Sequence, residues 1–435
     1  MFFEEYLKKF TLLHPKSIDL SLGRTITLLE KLGNPHKKLP PIIHIGGTNG
    51  KGSVVAFMRS ILNKSGYKVQ TYTSPHLIRF NERIRLANGL ISDSYLKELL
   101  EECYIVNKGE KITFFEITTV AAFLAFSRNL ADILIMEVGL GGRFDSTNTI
   151  DSPILSAITP ISLDHTGFLG KNLSSIAYEK AGIIRPNTPI VLSEQNPESD
   201  NIILNYANKL GAKVIKYGIN WKITKKEHNK FLVSLNGKKI SFLKPSLQGN
   251  HQILNAAQAA ICCANLKNFS VSAENIEEGI TKTNWPARMQ PINDGKIKAN
   301  VPSSCELWID GGHNPAASNA IAETITTWNK EKMMKTFVII GMMRTKNVGD
   351  FIRPLTIHIN TFIAIPIPNE DSCHKPKNIV SAIENLGSPC KEAKNIFHAL
   401  ETLTNYKSLN NSRIIICGSL YLAGYILKVN GNKIF

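Results

Sequence analysis

Short apolar runs rich in Ile and Val recur along the chain, and between them apolar residues return every three or four positions. Runs of that length bounded by turn formers read as buried strands, and the stretches between them as amphipathic helices. The pattern therefore predicts an α/β protein with mainly parallel strands. The expected strands cover residues 41–45, 68–72, 132–138, 154–159 and 189–193, then 306–310, 336–341, 362–366 and 413–417. Between Lys213 and Leu243 the rhythm becomes β-rich, with hairpin strands at 221–224 and 230–235. A polar, turn-rich stretch from Pro291 to Cys305 divides the chain into a first domain over 1–290 and a second over 303–435. The second domain keeps the strand–helix alternation and reads as a smaller, Rossmann-like doubly wound sheet.

Composition narrows the setting. The 435 residues suit two domains, and no apolar run approaches the ~18 residues that cross a bilayer. The opening Met1-Phe2-Phe3-Glu4-Glu5 is acidic where a secretion signal is basic, so a cytoplasmic protein without a membrane partner is expected. Seven dispersed cysteines without CxxC spacing speak against a disulfide framework or structural zinc. The formal charge of +16 is compatible with nucleic acid, an anionic surface or an anionic small substrate. No basic run or aromatic-interleaved stripe accompanies it, so no nucleic-acid partner is expected and a polyanionic substrate fits better.

The strongest chemical signal is Ile42-Ile43-His44-Ile45-Gly46-Gly47-Thr48-Asn49-Gly50-Lys51-Gly52-Ser53. An apolar strand enters a Gly-rich turn, and a helix opens at once, with Val54, Phe57, Met58, Ile61 and Leu62 on one face and Gly66 as its stop. Such a turn lets backbone N–H groups converge on phosphate oxygens, while a helix N-terminus favours negative charge. Lys51 is placed to reach the β- and γ-phosphates. The spacing departs from a regular Walker A loop: the first glycine is one position too near Gly50, and Gly52 separates Lys51 from Ser53.

That variant loop resembles the Mur ligase superfamily, in its folylpolyglutamate synthase and dihydrofolate synthase branch. Further blocks match the branch in order: Ser74-Pro75-His76-Leu77, Phe80-Asn81-Glu82-Arg83-Ile84, Thr113-Phe114-Phe115-Glu116, and Glu137-Val138-Gly139-Leu140-Gly141-Gly142-Arg143-Phe144-Asp145. Leu163-Asp164-His165, Glu179-Lys180-Ala181-Gly182, Gly249-Asn250-His251-Gln252 with Asn255, Trp285-Pro286-Ala287-Arg288, Asp310-Gly311-Gly312-His313-Asn314-Pro315 and Gly418-Ser419-Leu420-Tyr421 follow. The resemblance spans nearly the whole chain. It implies a P-loop, Mur-ligase-like central ATPase domain followed by the Rossmann-like one. It also implies an ATP-dependent amide ligase that adds L-glutamate to dihydropteroate, to folates or to both through an acyl phosphate, acting as a monomer on small molecules.

The same resemblance assigns roles. Thr48, Asn49, Gly50, Lys51, Gly52 and Ser53 would hold ATP with Asn255, Arg288 and Asp310. Ser74 and Glu137 would ligate one Mg²⁺ and His165 a second. Lys180, carried as a carbamate, would join Lys51 and His165 as catalytic. Asp19, Leu20 and Ser21, with Thr113, Phe114, Phe115, Glu116, Phe144 and Asp145, would receive the pterin, and His313 would line the same cleft. Plainer readings stand beside these. Glu137 is also compatible with a helix cap, His165 with a hydrogen-bonded structural histidine, Lys180 with a solvent-facing lysine, Arg288 with a surface ion pair, and the phenylalanines with core. Departures from the branch are Ser21 for a common glycine, Ala287 for glycine, Gly312 for alanine, and Arg344-Thr345-Lys346-Asn347 for Asp-Lys-Asp. The small-for-small changes at 287 and 312 are expected to be tolerated. Two readings remain open: another Mur-type amino-acid ligase, against which the Thr113 and Ser74 blocks speak, and a nucleotide-binding regulator.

Overall fold

A computed structural model describes residues 3–14, 16, 18–226, 229–405 and 409–432. The chain forms two compact units. One comprises 1–246 and 253–283, and the other 247–252 and 284–434.

The first unit is built on an eight-stranded sheet. Its strands are β1 (Ile42–Gly46), β2 (Val69–Tyr72), β3 (Ile84–Leu86), β4 (Gly89–Leu90), β5 (Ile133–Glu137), β6 (Leu155–Ile158), β7 (Ile190–Leu192) and β8 (Val214–Lys216), in the order β4-β3-β2-β5-β1-β6-β7-β8. Pairing is parallel from β2 to β8, while β3 and β4 add an antiparallel edge. Buried on both faces, the central strands read as continuous apolar runs, which is why the sequence located them within a residue or two. β1 is the pivot, with β5 on one side and β6 on the other, so its carboxyl end is a topological switch point where ligands of such sheets bind.

A second, three-stranded antiparallel sheet joins β9 (Trp221–Lys226), β10 (Lys230–Leu235) and β11 (Lys238–Leu243). The sequence reading expected two strands here. In β11 only Phe242 is buried, and the exposed Lys238 and Lys239 hide the alternation that marks a strand.

The other unit has a six-stranded sheet of β12 (Gln290–Pro291), β13 (Glu306–Ile309), β14 (Lys335–Ile340), β15 (Thr361–Ala364), β16 (Cys390–Glu392) and β17 (Ser412–Cys417), ordered β12-β13-β17-β14-β15-β16. All pairs are parallel except β12 with β13. The turn-rich stretch from Pro291 to Cys305 lies inside this unit, which takes over at Asn284. The reason is local: Gln290 and Pro291 pair with β13, and Asn430 accepts from the Ile297 amide.

Candidate functional site

The phosphate loop runs from the end of β1 into the helix Lys51–Lys64. Two glycines are obligatory. Gly47 has φ 131° and a Cβ there would meet Thr159 Oγ1 at 2.0 Å, while Gly50 has φ 88° and a Cβ would meet Asn255 Oδ1 at 2.4 Å. The loop's arch is held from β6: the amides of Thr48 and Asn49 donate to Pro160 O at 3.1 and 3.2 Å, and Asn49 Nδ2 donates to Ser162 Oγ at 2.9 Å. Those two amides are thus committed to the fold. The amides of Lys51, Gly52 and Ser53 open the helix and have no intrahelical acceptor, so they are the ones suited to phosphate. Lys51 Nζ lies 3.3 Å from Thr48 O, folded over the loop. Ser53 Oγ is buried with no hydrogen-bond partner, and Asn255 lies against Gly50.

Glu137 closes β5 and is buried, and its Oε2 accepts from the Ser74 amide at 3.2 Å. Among the described residues no group of three or more His, Cys, Asp or Glu side chains is placed to hold a metal by itself. A carboxylate beside a serine, with the orphaned Ser53 hydroxyl on the loop, is nevertheless a hard-oxygen set suited to Mg²⁺ completed by triphosphate oxygens. His165 is exposed, in a left-handed conformation (φ 50°), with its amide donating to Asp164 Oδ1 at 2.8 Å.

Lys180 does not face solvent. Its helix, Leu173–Ala181, turns it inward, where it is 5% exposed and its Nζ donates to Gly47 O at 2.7 Å. Burial, aided by the charge of Lys51 and opposed by Asp164 and Asp145, lowers the amine to about 7. A lysine so poised is part-neutral at physiological pH, the state in which an amine is nucleophilic.

A cavity of about 210 Å³ opens in the first unit. Asp19, Leu20, Ser21, Thr113, Phe115, Glu116, Phe144 and Asp145 line it, and so do Ser74 and His165. Phe114 is not among its lining residues; it packs edge-on against Phe80 at 6.0 Å, so one of the three phenylalanines belongs to the core side. Phe115 is seated against Gly139, where a Cβ would approach its ring to 2.3 Å.

The three carboxylates of the lining, Asp19, Glu116 and Asp145, prove to be engaged by the protein. Glu116 is the N3 residue of a capping box with Thr113, and it also receives Arg24 in a fork, Nε to Oε2 at 3.0 Å and Nη2 to Oε1 at 2.9 Å. Arg24 then holds the Asp19 segment through Asp19 Oδ2 at 3.0 Å and Asp19 O at 2.9 Å. Asp145 accepts from the Leu140 amide (2.8 Å) and from the amide and hydroxyl of Thr147 (3.0 and 2.5 Å). Thr147 Oγ1 in turn lies 2.9 Å from His44 Nε2. Burial pushes the Asp145 carboxyl up while those bonds restrain it, and burial lowers His44 to about 3, so His44 is neutral. Sequence reasoning missed Arg24 and the lining residue Arg83. Both sit outside any motif given a role, and only the fold brings Arg24 to a carboxylate 92 positions away.

In the second unit Asp310 fixes a turn, its Oδ2 accepting from the Met289 amide (2.8 Å) and its Oδ1 from the Gly312 amide (2.6 Å). Arg288 Nη1 donates to Ala287 O at 2.9 Å, and His313 Nδ1 lies 2.9 Å from Gly311 O. Ala287 and Met289 adopt φ of 56° and 39°, so more than size is at stake at 287: an alanine carries left-handed strain where glycine has none. A Cβ at Gly312 would meet Asp310 Oδ1 at 2.7 Å, so this position is also tighter than a small-for-small reading suggests. Asn347 caps the helix Val348–Ile352 by accepting from the Asp350 amide at 3.1 Å.

No helix among the described residues is long and apolar enough to cross a membrane. Residues 45–264 match the Mur ligase middle domain, and 293–429 match the dihydrofolate synthetase C-terminal domain. The chain is 34% identical over 424 residues to the dihydrofolate synthase/folylpolyglutamate synthase of Bacillus subtilis, covering 94% of each. E. coli FolC in complex with DHPP and ADP superposes with a TM-score of 0.88 at 27% identity, over 99% of this chain and 97% of that one. The Yersinia pestis bifunctional folylpolyglutamate synthase/dihydrofolate synthase complexed with AMPPNP and Mn ion gives 0.85 at 25% identity, over 98% of both. With a loop built for phosphate, a cavity in the same unit lined by Ser74 and His165, and full-length likeness in sequence and fold, the chain belongs to the dihydrofolate synthase/folylpolyglutamate synthase family of ATP-dependent glutamate ligases.

Proposed function

We propose that the chain is a bifunctional member of this family, a cytoplasmic monomer that adds L-glutamate both to dihydropteroate and to reduced folates. The observation carrying this reading is the cavity at the carboxyl edge of the first sheet, whose lining includes two aromatic rings for a flat heterocycle and two residues, Ser74 and His165, proposed as metal ligands. A carboxylate is a poor electrophile until its oxygen is made a leaving group. In the proposed reaction the acceptor carboxylate takes the γ-phosphoryl group of ATP, ADP departs, and the glutamate amine displaces phosphate from the acyl phosphate with loss of a proton.

The residues divide this work. Gly50, Lys51, Gly52 and Ser53 hold the phosphates, Thr48 and Asn49 set the arch, and Asn255 abuts it as the adenine contact. Arg288 and Asp310 of the second unit are assigned to the nucleotide and His313 to the substrate. Ser74 and Glu137 are assigned to one Mg²⁺ and His165 to another, and the bound ions would neutralise charge on the transferring phosphoryl group. Asp19, Ser21 and Asp145 supply polar edges to the pterin, with Leu20, Phe115 and Phe144 against its faces. Lys180, with an amine lowered to about 7, is suited to add CO₂: the ammonium first gives up a proton, the freed lone pair forms the C–N bond as a C–O π bond opens, and loss of a second proton from nitrogen leaves a carbamate anion. The test is ADP release by the purified protein with Mg·ATP and L-glutamate, run with dihydropteroate and with tetrahydrofolate in separate reactions. Turnover with both is the expected result. Turnover with one acceptor alone overturns bifunctionality and fixes the substrate, and turnover with neither overturns the assignment.

A further inference from the structure

Arginines turned into this fold find acceptors: carboxylates for some, the His76 ring for Arg83, and backbone or amide oxygens for Arg185. Arg24 faces Glu116, Arg128 faces Glu102, Arg143 faces Glu179, and Arg413 faces Glu306. Arg59 and Arg85 break that rule. Both are partly buried, and neither makes a hydrogen bond or ion pair with any described residue.

Their placement puts them on the same side of the first sheet. Arg85 lies on β3 directly opposite Thr71 of β2, and cross-strand partners share a sheet face. The next pair along, Tyr72 and Ile84, points the other way, into the core under the helix Phe114–Arg128, where Tyr72 Oη lies 2.9 Å from Thr119 Oγ1. Thr71 and Arg85 therefore face the side covered by the helix Lys51–Lys64, which packs on β2 and carries Arg59. Burial first, and then the charge of Arg85, lower Arg59 to about 10, and burial lowers Arg85 as well. Like charges that act on one another, partly withdrawn from water and without an acceptor among the described residues, are unfavourable unless an anion completes the site.

We propose that Arg59, Arg85 and the hydroxyl of Thr71 form an anion site for a phosphate-class oxyanion, on the face of the first sheet that the helix Lys51–Lys64 covers. Two planar guanidinium forks match the oxygens of a tetrahedral dianion, and a threonine hydroxyl adds a donor. The site is separate from the phosphate loop, because Arg59 lies eight residues past Lys51, roughly 12 Å along the helix. The ion can arrive as inorganic phosphate, which the ligase reaction releases, or as the phosphate of a small monoester.

The test uses the full chain with saturating Mg·ADP, so that the phosphate loop is filled. Thermal unfolding is followed while inorganic phosphate, or glycerol phosphate, replaces chloride at constant ionic strength up to about 20 mM. Expected is a saturable rise in Tm of a few degrees with phosphate. A rise with glycerol phosphate too assigns the monoester as an admissible source, and its absence assigns the free ion. Arg59→Gln and Arg85→Gln should each abolish the rise, raise Tm in chloride alone by relieving repulsion, and leave ligase turnover unchanged. Arg59→Lys, which keeps charge but not the fork, should retain a weaker response. If Arg85→Gln does not fold, the Arg59 variants decide alone. A wild-type rise no larger than the chloride control, or one that survives Arg59→Gln, overturns the proposal.

Discussion

Replacing Arg24 by methionine isolates what a residue outside every motif does for the cavity. The substitution keeps most of the aliphatic volume and removes a guanidinium that ties Glu116 to the Asp19 segment. The Glu116 side chain is 3% exposed and that of Arg24 24%, so the loss is that of a largely buried pair. Breaking such a pair by removing one partner costs about 3–5 kcal/mol when both are buried. Arg24 is a quarter exposed, and Glu116 keeps the Thr113 amide at 2.7 Å, so about 2–3 kcal/mol is the expected loss of stability. A second effect falls on the acceptor. Without Arg24, residues 18–21 lose the two shortest contacts that hold Asp19 at the cavity wall, leaving only the longer approaches of His14 and Lys16. An acceptor KM about tenfold higher follows, equivalent to about 1.4 kcal/mol, or one charge-assisted hydrogen bond. The phosphate loop does not touch Arg24, so KM for ATP should stay within about twofold. Urea midpoints and separate KM values for acceptor and ATP read both effects, and Arg24→Met with Glu116→Gln should recover part of the stability by removing the stranded charge. A stability loss below about 1 kcal/mol, or an ATP KM that rises as far as the acceptor KM, would refute the reasoning.

Three further outcomes follow from the geometry. Gly50→Ala sets a Cβ against Asn255 at a φ of 88°, so nucleotide affinity should fall at least about tenfold in a fluorescent-ADP displacement assay while the protein still folds. The Lys180 amine, about 7 in the fold against 10.5 unfolded, binds fewer protons folded than unfolded between those values. Relative to Lys180→Met, wild-type stability should thus climb with pH by at most about 1.4 kcal/mol per unit from near 7 to near 10.5, and a flat difference in urea titrations refutes it. His44 and His76 are each lowered to about 3, so the unfolded chain takes up protons first on acidification. Stability should fall as pH drops from about 6.5 toward 3, and a His44→Gln, His76→Gln double variant that is as acid-sensitive as wild type refutes the assignment.

The sequence was most legible where burial is two-sided and the chemistry is local. β1, β5 and β17 carry short runs of Ile and Leu buried on both faces, and the phosphate loop is contiguous, so strand, turn and helix were read together. Short edge elements were not legible. β3, β4 and β12 have two or three residues each, too few for a period to show, and they exist because a neighbouring strand offers them a ladder.

By itself, then, the sequence determined the α/β class, the main strands, the phosphate loop and the family, because each is carried by contiguous residues or by ordered motifs. The tertiary structure alone decided how those pieces act. It turned Lys180 onto Gly47 O and lowered its amine, joined Arg24 to Glu116 across 92 positions, spent the Thr48 and Asn49 amides on Pro160, and brought Arg85 to the face that carries Arg59. Charge, burial and hydrogen-bond partners depend on which residues meet in space, and that is settled by the packing of sheet and helices, not by distance along the chain.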